Sequence, residues 1–183
     1  YVRSLGANNI RSCRLQRSTG FPQWSTWLSD EARSGGAILD LLSHDLDQVL
    51  LWFGTPASVS AVSIGDVDTA EITLSYPNDL KVHVTGGWLA PEAPFSASFQ
   101  VSATESELHY DGSVLRQLHG GVAEDVSIPE HDAYADEIAY FVDCATRGVD
   151  PLRCPPADSA RVVRLSELVK RSREEQGREM QWQ

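Results

Sequence analysis

Ser34-Gly35-Gly36-Ala37-Ile38-Leu39-Asp40-Leu41-Leu42-Ser43-His44-Asp45-Leu46-Asp47 is the stretch on which the reading of this chain turns. At about 100° per residue, residues 36 to 53 gather Ser43, Asp47, Asp40, His44 and Gln48 on one arc. Leu42, Leu46, Val49, Leu50 and Phe53 occupy the opposite arc, so the stretch is an amphipathic helix. Ser34 fits its N-cap, Gly35-Gly36 allow a tight approach, and Gly54-Thr55-Pro56 stops it. A spacing of four sets the Asp40 carboxylate beside the His44 imidazole on one helix face. An imidazole with a carboxylate neighbour can exchange a proton with a hydroxyl near neutral pH, which makes Asp40 and His44 the candidate catalytic pair. The plain alternative is a polar arc that only faces water.

Working outward, 183 residues with 42% hydrophobic and 22% charged composition can bury a core without disulfides or metal, and they fit one domain. A net charge of -11, with Lys81 and Lys170 the only lysines, argues against nucleic acid and acidic membrane surfaces as partners. Arg161, Arg164, Lys170, Arg171 and Arg173 are interleaved with Glu167, Glu174 and Glu175 and read as a solvated helix face. Cys13, Cys144 and Cys154 show no CxxC spacing, which fits a reducing, cytoplasmic setting. No run of about 18 apolar residues and no signal segment appear. Tyr1-Val2-Arg3 opens without Met and reads as an internal cut of a longer protein.

Past the helix the period changes to two. Ala70, Ile72, Leu74 and Tyr76 alternate with Thr69, Glu71, Thr73 and Ser75, and Val82 and Val84 alternate with Lys81, His83 and Thr85. Pro77-Asn78-Asp79 between the two runs is a hairpin signal. Further strands are expected at 10 to 17, 58 to 64, 95 to 103, 106 to 110 and 113 to 118. Two amphipathic helices follow, one with Tyr134, Ile138, Phe141 and Ala145 on a stripe, the other from about Pro156 to Gln176. The expected fold class is α+β: a largely antiparallel open sheet, helices packed on one face and the other face available for oligomerisation. The Val, Ile, Phe and Leu of the alternating runs suggest that this bare face is buried against another copy, as a dimer or tetramer.

The residues from Ser34 to Asp47, followed by Leu51-Trp52-Phe53-Gly54-Thr55-Pro56 and Val59, resemble the Gly-Gly, Asp, His, Asp, Trp/Leu, Phe-Gly-x-Pro signature of the glucose-fructose oxidoreductase and inositol dehydrogenase (Gfo/Idh/MocA) family. Thr69 to Asn78 resembles the family's next hairpin. Ala135 to Phe141 with Arg147-Gly148-Val149-Asp150-Pro151 resembles its penultimate helix and exit, and Ser172 to Arg178 its end. All of residues 1–183 is similar to the C-terminal domain of that family. The resemblance implies an N-terminal Rossmann domain that binds NAD or NADP, and this chain lacks it. Gly35-Gly36 and Gly120-Gly121 read as turn glycines, and the Glu-Lys-Pro segment bearing the family's catalytic Lys is absent.

Carried over residue by residue, the family's Asp and His fall on Asp40 and His44. The implied function is the substrate-binding and oligomerisation domain of an NAD(P)-dependent oxidoreductase acting on a sugar, polyol or related secondary alcohol, with the isolated chain inactive. Asp47 resembles the family's following Asp, for which local pairing is expected. Leu42 stands where many members have Gly, a departure that could narrow the pocket or alter the helix path. Trp27 and Trp88 are candidates to stack on a sugar ring, and Arg14, with Arg17 on the same strand, to bind a substrate carboxylate or phosphate, the plain alternative being arginines on a strand's wet face. His83, His109, His119 and His131 show no ligand-like spacing. A non-catalytic ligand-binding or assembly module is the alternative. A metal-dependent hydrolase built on His44, Asp45, Asp40 and Asp47 is weaker, because adjacent His and Asp on a helix diverge and no metal ligand set is apparent.

Overall fold

The alternating middle of the chain forms one open sheet in the computed structural model, which describes residues 1–128 and 132–182. His131 lies outside the described residues. In chain order the strands are β1 (Ile10–Gly20), β2 (Ser58–Ser63), β3 (Asp68–Ser75), β4 (Lys81–Leu89), β5 (Ser96–Ala103), β6 (Glu107–Tyr110), β7 (Leu115–His119), β8 (Val122–Val126) and the short β9 (Met180–Gln181). Their spatial order is β8-β7-β6-β5-β1-β4-β3-β2-β9. β1 runs parallel to β4 and antiparallel to β5, and the other neighbours are antiparallel.

The helices are α1 (Glu31–Ser34), α2 (Ser43–Phe53), α3 (Ala133–Arg147) and α4 (Pro156–Glu174). α2 does not begin where the periodicity alone would start it. It is preceded by a π turn over Ile38–Leu42, which inserts an extra residue into the helical path before Ser43. α2 and α4 lie side by side over the sheet, and Leu42, Leu46, Val49, Leu165 and Val169 meet Ile72, Leu74, Val82 and Val84 in a core from which water is excluded. Each of these side chains contributes about 1.5–3 kcal/mol through burial. A smaller cluster of Leu28, Ala37, Leu41 and Trp88, packed by Phe21, sits beneath the π turn.

Two expectations are corrected here. The apolar residues of the alternating runs turn toward the helices, leaving a bare face that carries polar side chains such as Arg14, Gln16, Glu71, Thr85 and Gln100. Burial of an apolar sheet face therefore does not explain how that face is used. The stripe on α3 is also not covered: Tyr134, Ile138 and Phe141 are exposed and the helix buries only Cys144. α3 is nevertheless a well-formed helix, because Asp132 accepts hydrogen bonds from the Tyr134 and Ala135 amides and Gly148 closes it in the left-handed conformation.

The three cysteines are free. Burial pushes the Cys13 thiol up to about 12, because the core does not solvate a thiolate. Among the described residues no helix is long and apolar enough to cross a membrane.

Candidate functional site

The site begins with how the helical segment is held at its start. Ser34, expected to cap this segment, is instead the last residue of α1, and its Oγ accepts from the Gly36 amide at 3.0 Å across the turn at Gly35. The amide at the start of the segment is satisfied from the sheet, where Asp68 Oδ2 on β3 accepts from the Ala37 amide at 2.7 Å. Gly36 has φ +70°, and a Cβ there would lie 2.6 Å from Asp68 Oδ2, so only glycine admits the carboxylate. Arg173 of α4 donates to Asp68 Oδ1 at 2.6 Å and also pairs with Glu31 of α1. One arginine thus ties α4, β3 and the approach to Asp40 together.

The second support lies one turn further on. Asp45 is 3% exposed, yet Arg17 of β1 donates to it from Nε at 2.6 Å and from Nη2 at 3.4 Å. Burial pushes the Asp45 carboxyl upward, while the Arg17 guanidinium and the nearby His44 pull it back. Arg17 reaches this position because β1 and β4 approach closely at Gly86, where a Cβ would meet the Arg17 carbonyl oxygen at 1.7 Å. Arg17 also lies over the Phe95 ring, 5.8 Å from its centroid.

His44 is exposed on the rim of a cleft of about 280 Å³. Arg17 and Asp45 support the cleft, Asp47 and Gln48 of α2 offer polar atoms, and Trp52, Phe99 and Tyr110 form its aromatic wall. Trp52 meets Phe99 edge-on at 5.3 Å between centroids, and Phe99 stacks on Tyr110 at 5.5 Å. This wall is firm apolar surface beside polar groups, an arrangement suited to a small polyhydroxylated molecule.

The structure brings some of the sequence-derived residues together and separates others. Asp40 is exposed on the π turn, outside the lining of the His44 cleft, and no hydrogen bond joins it to His44. Asp47 lines the cleft, and among the described residues its side chain makes no hydrogen bond or ion pair, so the local pairing expected of it does not form; the paired carboxylate of α2 is Asp45, held by Arg17 of β1. Leu42 is fully buried in the core and does not narrow the cleft. Trp88, expected at a sugar ring, is 2% exposed and packs at 5.2 Å edge-on against Phe21. Its indole underlies Ala37 and Leu41, so it supports the helix from the core. Arg14, expected at the substrate, points to the bare sheet face, because three residues along a strand from Arg17 reverses the side. Trp27 is half-exposed in the loop before α1 and is not part of the cleft lining.

Sequence reasoning missed Asp68 and the Trp52, Phe99 and Tyr110 wall, placed Arg173 on a solvated helix face where the structure buries it against Asp68, and did not join Arg17 to Asp45. One signal was available, since Asp45 borders the apolar arc of α2 and a carboxylate there needs a partner. Its partner, 28 residues earlier, carried no local signal. Among the described residues no three His, Cys, Asp or Glu side chains converge as a cation site. Gly35-Gly36 joins α1 to the next helical segment and Gly120-Gly121 is the β7–β8 turn, so neither is a strand-to-helix glycine loop.

Residues 5–109 match the model of the GFO/IDH/MocA C-terminal domain. The chain belongs to the GFO/IDH/MocA family and represents its C-terminal domain. Several solved structures share the fold. UDP-N-acetylglucosamine 3-dehydrogenase from Acidithiobacillus ferrooxidans aligns with a TM-score of 0.78 and 23% identity, over 96% of this chain and 57% of that one. Aldose-aldose oxidoreductase from Caulobacter crescentus, complexed with glycerol, aligns with a TM-score of 0.83 and 17% identity, over 99% and 59%. Levoglucosan dehydrogenase aligns with a TM-score of 0.81 and 15% identity, over 100% and 62%. The chain therefore spans about six-tenths of the length of the structures it matches. No curated protein sequence matches it.

Proposed function

We propose that this chain is the substrate-facing part of an NAD(P)-dependent oxidoreductase acting on a sugar, polyol or related secondary alcohol, and that the protein self-associates through the open sheet face. The observation that carries the catalytic part is His44 at the rim of a cleft with an aromatic wall and polar groups at Asp47 and Gln48. His44 takes the proton of the substrate hydroxyl. Asp40, which makes no bond to the imidazole, serves by binding a neighbouring hydroxyl. Asp47 and Gln48 hold further hydroxyls while Trp52 and Tyr110 cover the apolar side of the ring. The Arg17–Asp45 pair holds the segment bearing His44 against β1.

A nicotinamide cofactor supplies the hydride acceptor in such chemistry. Its binding is assigned to an N-terminal Rossmann domain of the kind that the family resemblance implies. Three sugar-acting or alditol-bound relatives in fold, and levoglucosan dehydrogenase complexes with NADH, support this choice of substrate class and cofactor.

The test restores the contiguous upstream coding sequence and measures nicotinamide reduction across a sugar and polyol panel with both cofactors. His44→Ala is expected to lower kcat by about a hundredfold or more, the usual scale for a lost acid–base group. The chain alone is expected to be inactive. Unchanged kcat in the His44 variant overturns its role; ligand binding without turnover supports a non-catalytic binding or assembly module instead.

A further inference from the structure

Two of the three thiols meet at the C-terminal end of α3. Cys144 is the one side chain that α3 buries, at 5% exposure, although the apolar stripe of the same helix stands open. Tyr140 lies one helical turn before it on the same face. The loop after the helix folds back along that face. The Val149 amide donates to the Cys144 carbonyl at 3.0 Å, and the Arg153 amide donates to the Tyr140 hydroxyl at 3.0 Å. The Arg153 guanidinium lies over the Tyr140 ring, 4.9 Å from its centroid.

This fold-back carries Cys154 to the same place. Its Cα follows that of Arg153 by about 3.8 Å, and its amide donates to the Pro151 carbonyl at 3.0 Å in a turn held between Pro151 and Pro155. The Tyr140 hydroxyl hydrogen-bonds the Cys144 thiol, and the Cys154 thiol is near enough to act on it electrostatically. One phenol therefore has both sulfurs about it. Cys144 is fixed in a helix, whereas Leu152, Arg153 and Cys154 are exposed, so the short movement that would bring the sulfurs into bonding range falls on the loop. Cys13 has no part in this, because it is fully buried in the main core.

We infer that Cys144 and Cys154 form an oxidative modification site, at which a hydroperoxide converts the two thiols into a disulfide joining the last turn of α3 to the residues just ahead of α4. Exposed Cys154 reacts first. Its sulfur attacks the O–O bond of the peroxide, an S–O bond forms, and the other oxygen leaves as water, giving a sulfenic acid. The Cys144 sulfur then attacks the Cys154 sulfur: the S–S bond forms, the S–O bond breaks, and the hydroxyl departs with the thiol proton as a second water. The two thiols lose two hydrogens and two electrons, and the peroxide is reduced to two waters. Buried Cys144 needs access only to its partner, so it serves as the resolving thiol. A link across an exposed loop is open to small thiols, which makes it reversible and compatible with a reducing compartment.

Peptide mapping of the native protein after hydrogen peroxide treatment at about pH 8 tests this, with remaining thiols alkylated before digestion. Trypsin cuts after Arg116, Arg147, Arg153 and Arg161, which places Cys144 on peptide 117–147 and Cys154 on peptide 154–161. The expected product is these two peptides joined by a disulfide and released singly by dithiothreitol. In Cys144→Ala the sulfenic acid on Cys154 has no resolving thiol, and its labelling by dimedone is expected to rise about tenfold over wild type. In Cys154→Ser, Cys144 is expected to stay reduced under the same peroxide. Melting temperatures check that both variants fold, and the wild-type map needs no variant. Oxidation of Cys154 with Cys144 left as a thiol overturns the inference, as does equal dimedone labelling in wild type and Cys144→Ala, or survival of both thiols in excess peroxide. None of these residues lines the His44 cleft, so the outcome leaves His44 to its own turnover assay.

Discussion

α2 and α3 are built on the same plan and meet different fates. Both are amphipathic helices of ordinary length with well-defined ends. α2 presses Leu46, Val49 and Leu50 into the sheet, while α3 holds Ile138 and Phe141 in the open. Periodicity thus tells which side of a helix is apolar but not what covers it. The cover is a tertiary fact. For α2 it is supplied by strands whose own alternation puts Ile72, Val82 and Val84 on the matching face.

This contrast can be broken experimentally, and the largest effect is expected in α2. Leu46→Ala leaves a void in a fully packed core and is expected to cost about 2–5 kcal/mol, whereas Ile138→Ala in α3 should fall within about 0.5 kcal/mol. Chemical denaturation of both variants measures the difference, and equal costs would mean that α3 is covered in solution. Asp45→Ala comes next, at about 3 kcal/mol, because it strands a largely buried guanidinium. The R17A/D45A double variant should cost less than the sum of the two singles; strict additivity would show that the pair is not coupled.

The Asp68 cap is a smaller matter. Asp68→Ala removes the acceptor of the Ala37 amide and a partner of Arg173, and is expected to cost about 1–2 kcal/mol. Amide exchange at Ala37 should accelerate in that variant while the centre of α2 stays protected; uniform loosening would indicate general destabilisation instead. The smallest effect concerns thiols. Exposed Cys154 should react rapidly with an alkylating reagent at pH 9, while Cys13 reacts only on unfolding. The buried Cys13 thiol stays neutral up to about 12. Its raised value favours the folded chain fully below the unfolded thiol pKa, about 8.5, and that contribution is lost as pH rises toward the folded value. Rapid labelling of Cys13 in the native protein would contradict its burial.

Much of the fold could be read from particular residues. The β3–β4 hairpin follows from alternation around Pro77-Asn78-Asp79, and α4 from its helical period beginning at Pro156. β8 could not be read in that way. Val122-Ala123-Glu124-Asp125-Val126 is an acidic, exposed edge strand, held by backbone pairing to β7 and by Arg116. The π turn at Ile38–Leu42 was likewise silent, because one inserted residue barely changes a hydrophobic pattern while it alters how Asp40 stands relative to His44. For the site, helical spacing put His44 on the polar arc of α2, whereas the aromatic residues singled out were Trp27 and Trp88 and not the Trp52, Phe99 and Tyr110 that line the cleft. Arg17, Asp68 and Arg173 entered only through pairings between distant parts of the chain.

The position of β1 has a consequence for how the molecule is made. Of the strands of this sheet it is the first to be synthesised, yet it occupies the middle of the sheet, and its neighbours are β4 and β5. Cys13 cannot find Val101 until most of the strands have been synthesised. Until then the early strand must wait unpaired, and the loop entropy of bringing it back to the centre slows assembly. Removing this one strand would divide the sheet into two separate ribbons, β8 to β5 and β4 to β9. The integrity of the finished domain therefore depends on a segment whose partners all arrive later.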